Sequence, residues 1–143
     1  IAAALPNARI IHLNRNPIDN ALGMYKALFR MGYPFSYDFD DLAKYMRAKA
    51  ELMAHWHAVL PGRVTEVHYE DIVSNQEAQT RRLLAEVELP WNAACLDFHK
   101  NNSPTATASA AQVRRPLYAS SVDRWRRYET QLQPLIEALG ATG

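Results

Sequence analysis

Arg15 stands where its neighbours could make it useful for chemistry: it closes the apolar run of Ile10, Ile11 and Leu13 and is followed at once by Asn16, Pro17 and Asp19. That order spells a short buried strand, a tight turn and a helix start, because Asn caps, Pro suits the first helical position and an acid in the first turn complements the dipole. Ligands of open α/β sheets bind outside the carboxyl ends of the strands, and free N–H groups at a helix N-terminus favour an anion. A guanidinium there adds a two-pronged, permanently charged grip on phosphate or sulfate. The alternative is an arginine that snorkels at the strand end or pairs with Asp19.

A second concentration of chemistry lies late in the chain, in QVRRPLYASSVDRWRRYE, where five arginines between Arg114 and Arg127 interleave with Tyr118 and Trp125. They read either as a patch for an anionic ligand or as a solvated helix face, and a charge run by itself favours the face. Other reactive side chains carry less. His55 and His57 are two apart on a helical stretch and point in different directions, so they share no metal site on one face. His12 falls on the buried strand and has no claim to be a base. Cys95, beside Leu96, reads as a buried, inert thiol.

The elements that must position these residues follow from periodicity. Ile18, Leu22, Tyr25 and Phe29 give the first helix an apolar face. Gly32, Tyr33, Pro34 and Phe35 make an aromatic turn that stops it. A longer helix is expected over residues 40–60, with Leu42, Tyr45, Met46, Leu52, Met53, Trp56 and Leu60 on one stripe, ended by Pro61 and Gly62. Residues 63–69, RVTEVHY, read as a second strand, parallel to the first if the long helix is the crossover. Ser74 and Glu77 spell a capping box for a third helix. A short helix is expected to about residue 98, then a small, polar stretch without hydrophobic period. Trp125, Tyr128, Leu132, Leu135 and Leu139 mark a final amphipathic helix.

The 143 residues fit one domain, and 48% hydrophobic content is ordinary for a globular core. Sixteen basic against fifteen acidic side chains leave a net charge of +1, which supplies no global field for nucleic acid or a membrane surface. An anion site must therefore be local. The single cysteine forms no intramolecular disulfide, which is consistent with a reducing compartment, and a cytoplasmic setting is expected. The opening IAAALPNA leads straight into a strand without methionine and reads as a cut through a larger domain.

Taken together, these blocks resemble the sulfotransferases that use 3′-phosphoadenosine 5′-phosphosulfate (PAPS), most closely the bacterial group attached to tetratricopeptide repeats, with tyrosylprotein sulfotransferases as relatives. The resemblance rests on PNARIIHLNRNPIDNALGMY, on VTEVHYEDIV with LPWNAACLDFH, and on TASAAQVRRPLYASSVDRWRRYE with LQPLIEAL. It implies an α/β, partial P-loop-like sulfotransferase fold, mostly helical with two parallel strands, residues 1–143 being the carboxy-terminal part of one domain.

The same resemblance implies roles. Arg15 matches the arginine that grips the 3′-phosphate. The residue eight further on, serine in the pattern, assists it, and here it is Gly23. Tyr69 matches the tyrosine at the adenine, Ser109 and Arg124 match residues on the 3′-phosphate side, and Arg114 or Arg115 lines the same mouth. Asn16 stands where the pattern more often has aspartate. The loop that cradles the 5′-phosphosulfate and the general base lie upstream of the arginine strand in the family, so no catalytic residue is assigned here. The parent is expected to move a sulfuryl group from PAPS, without a metal, to a hydroxyl or amine acceptor. The rival reading is a degenerate, non-catalytic domain that binds a nucleotide or a protein partner. A nucleic-acid binder using the late arginines is disfavoured by the neutral charge and the lack of a recognised module.

Overall fold

A computed structural model describes residues 1–27, 29, 32–101 and 114–140. Two strands, β1 (Ile10–Asn14) and β2 (Val64–His68), form a parallel two-stranded sheet amid a mostly helical chain, the α/β arrangement expected. The helices are α1 (Pro17–Lys26), α2 (Phe39–Val59), α3 (Tyr69–Ser74), α4 (Gln76–Glu86) and α5 (Glu129–Leu139), the last preceded by a 3-10 turn over Arg124–Tyr128. The chain divides into two compact units, one of Ile1–Asn14 with Thr65–Ser120, the other of Arg15–Val64 with Ser121–Gly143.

In the first unit, β1 is not the uniformly buried strand expected. Side chains alternate with period two along a strand, and Ile11 and Leu13 remain exposed while Ile10 and His12 turn to the covered face. His12 Nδ1 lies 2.8 Å from Glu66 Oε1 across the strand pair, and Val67 is the buried residue of β2. The helical region after β2 begins at once: Tyr69 starts α3, and a break at Asn75 separates it from α4. The cap of α4 is Asn75, whose side chain accepts from the Ala78 N–H, not Ser74; the Ser74 hydroxyl instead donates to the Asp71 carbonyl. Asn at N-cap does what Ser would have done, one residue later. Two 3-10 turns, Ala93–Cys95 and Phe98–Lys100, replace the short helix expected to residue 98, and Cys95 is exposed rather than buried. Between those turns a hydrogen bond from the Lys100 ammonium holds the Asp97 carboxyl below its ordinary carboxylate value.

The second unit owns the larger core. Ile18, Ala21 and Leu22 of α1, Leu42, Ala43 and Met46 of α2, and Leu132 and Leu135 of α5 form one buried cluster. Leu42 and Met46 of the α2 stripe are buried as expected, whereas Tyr45, Leu52 and Trp56 are 43%, 52% and 41% exposed. Length explains the last two: 21 residues of α2 span about 32 Å and 11 residues of α5 about 17 Å, so the shorter helix covers only part of the longer. Phe29, placed on the first helix by its spacing, lies beyond the end of α1, and its N–H donates to the Tyr37 hydroxyl at 2.8 Å. Gly140 stops α5 at φ 64°, a left-handed conformation that only glycine adopts without cost.

Candidate functional site

The site is built on the first turn of α1. Asn16 caps it, its Oδ1 accepting from the N–H groups of Ile18 at 3.0 Å and Asp19 at 3.1 Å. Pro17 has no N–H, and the Asn20 N–H is taken by the Asn16 carbonyl at 2.9 Å. The free N–H groups expected to cradle an anion are thus already committed. What remains for an anion is the positive end of the dipole and the guanidinium of Arg15.

That guanidinium is tied to the late turn and faces position 23. Its Nη2 donates to the Ser121 carbonyl at 2.5 Å. Its Nη1 lies 3.9 Å from where a Cβ on Gly23 would sit, an ordinary contact distance. Position 23, exposed at the end of the second turn of α1, therefore faces Arg15, and a side chain there would meet the guanidinium without displacing backbone. Arg15 does not pair with Asp19 in the manner considered from the sequence. The Asp19 carboxylate is 2% exposed, and its Oδ1 accepts from the backbone N–H of Trp125 at 2.9 Å.

Arg124 is an exposed residue at the start of the 3-10 turn, directly after Asp123, whose φ is 53°. Arg126 folds back over the Trp125 ring, its guanidinium carbon 4.9 Å from the centroid, and lies 3.6 Å from the Asp123 carboxylate. Arg15, Gly23 and Arg124 thus belong to the second unit. Tyr69, at the first position of α3, and Arg114, an exposed turn residue, belong to the first unit. Ser109 lies outside the described residues. Two participants escaped sequence reading as members of this site, Ser121 and Asp19, because each partner is 106 positions away along the chain and no local spacing signals it.

Among the described residues no cluster of three or more His, Cys, Asp or Glu could hold a metal ion, and no helix is long and apolar enough to cross a membrane. The strand-to-helix junction led by Arg15 lies within residues 1–93, which match the sulfotransferase family model. A protein of Aquifex aeolicus (strain VF5), described as uncharacterized, is 38% identical over 142 residues, which is 97% of this chain and 19% of that relative. The chain belongs to the sulfotransferase family, and it spans about a fifth of the length of the relative it matches.

Proposed function

We propose that this chain carries the 3′-phosphoadenosine half of a PAPS site, in a protein that transfers a sulfuryl group to a hydroxyl or amine acceptor. The observation that carries the reading is the placement of Arg15, whose guanidinium bridges position 23 and the turn that bears Arg124. The residues fit the group: a planar fork at the positive end of a helix, an open space where Gly23 lacks a Cβ, and an exposed second arginine suit a phosphate dianion. Tyr69 would pack on the adenine with its ring and bond with its hydroxyl. Ser109 and Arg114 would complete the mouth. When bound, PAPS supplies the activated sulfuryl group; these residues bind and orient its nucleotide end. The 5′-phosphosulfate loop and the base fall, on this reading, outside these residues, so the chain alone positions and does not turn over.

Titration calorimetry with 3′-phosphoadenosine 5′-phosphate (PAP) tests this. The chain should bind PAP in preference to adenosine 5′-monophosphate, and Arg15→Ala should weaken PAP by at least about tenfold while leaving the monophosphate unchanged, since one charged hydrogen bond is worth about 1.5–3 kcal/mol. Equal affinity for the two nucleotides would overturn the reading. The rival, a domain that binds without chemistry, draws on Gly23 in place of serine. It would be favoured if no hydroxyl or amine acceptor becomes labelled by PAPS in a longer protein containing this chain.

A further inference from the structure

Asp19 poses a physical question that the binding reading leaves open. A buried carboxylate on the same helical turn that follows Arg15 repels a phosphate and costs desolvation, so ligand binding by itself disfavours an acid there. Only part of its bonding capacity is used: Oδ1 takes the Trp125 N–H, and Oδ2 has no partner among the described residues. Asp19 stands at the third position of α1, where an acid complements the helix dipole. What that charge holds is a turn that would not hold itself. Residues 121–125 pass through Asp123 in a left-handed conformation, which costs a non-glycine residue though it costs Asp less than most.

Two bonds in step flank this turn. Arg15 takes the carbonyl of Ser121 and Asp19 takes the N–H of Trp125, four residues on along both strands of chain. Arg124 lies inside that bracket. We propose that Asp19 is a positioning residue for the anion site, locking the 121–125 turn in the form that presents Arg124. This rests on the reading of Arg15 and Arg124 as phosphate ligands. Asp19 touches no ligand itself; it acts through the Trp125 backbone, and the charge-assisted bond gives it more hold than a neutral acceptor would have.

The test is a double-mutant cycle on the whole chain with PAP as the probe, together with hydrogen exchange at the Trp125 amide. Asp19→Ala should weaken PAP by about tenfold, the loss should nearly vanish when Arg124 is already alanine, and the Trp125 amide should exchange faster without ligand. Asp19→Asn, which keeps an oxygen of the same reach and protects against a failure of the alanine variant to fold, should restore most of the affinity. Additive losses in the cycle, or an Asn variant as weak as the Ala variant, would overturn the positioning role. Unchanged exchange at Trp125, with PAP still bound and still lost on Arg15→Ala, would sink this inference alone. A wild-type chain that binds no PAP would sink the proposed function and this inference with it.

Discussion

At position 23 a hydroxyl is missing from a place that faces a guanidinium. A serine there would put its Cβ 3.9 Å from Arg15 Nη1, and under the proposed function its hydroxyl would join Arg15 on the phosphate. Gly23→Ser should tighten PAP by about tenfold or more, the worth of one hydrogen bond to a charged group. It should also raise the melting temperature, because glycine within a helix costs about 0.5–1 kcal/mol relative to alanine. Calorimetry and a thermal melt on both variants check the two effects; weaker binding with the fold intact would mean that no phosphate sits against position 23. Arg15 itself was legible because strand, Asn, Pro and acid are consecutive and each has a local meaning. Asp19 was legible only as a helix acid. Its true partner is set by tertiary packing, which leaves no mark on neighbouring residues.

Elements were read more securely than their ends. The helix expected over 40–60 is Phe39–Val59, and the strand expected over 63–69 is Val64–His68. Misplacements occurred where two residues could do one job. Ser74 and Asn75 are both good caps, and the backbone break chose Asn75. The apolar stripe of α2 did not reveal that Tyr45, Leu52 and Trp56 stay exposed, because periodicity reports a face and not how much of it a partner helix reaches. The cap of α1 is the firmest of the local signals, with one side chain satisfying two N–H groups. Asn16→Ala should cost about 0.5–2 kcal/mol, read as a lower denaturant midpoint at unchanged slope. A neutral result would mean that water caps the helix equally well.

For the molecule as a whole, the second unit is assembled from two distant stretches, and its core closes only when α5 joins α1 and α2. Leu135, fully buried between them, is the sensitive point. Leu135→Ala should destabilise the chain by about 2–5 kcal/mol in denaturant titration, the range for a leucine truncated in a core. The same assembly sets the fate of a shortened chain. Residues 1–93 match the family, yet a chain ending there lacks Leu132 and Leu135, and Ile18, Ala21, Leu22 and Leu42 lose the surface that covers them.

The two bonds that tie α1 to the late turn also dictate which gaps an alignment of relatives can tolerate. Arg15 and Asp19 are four apart, Ser121 and Trp125 are four apart, and the pairing works because the two intervals are equal. Residues gained or lost in the loops between them leave that equality intact. One residue deleted inside the first interval turns a position of α1 by about 100°, and one deleted inside the second shifts the chain by a residue; either separates a donor from its acceptor. Loops between the elements can change length without touching this pairing, so relatives that keep the site should show no insertion inside residues 15–19 or 121–125.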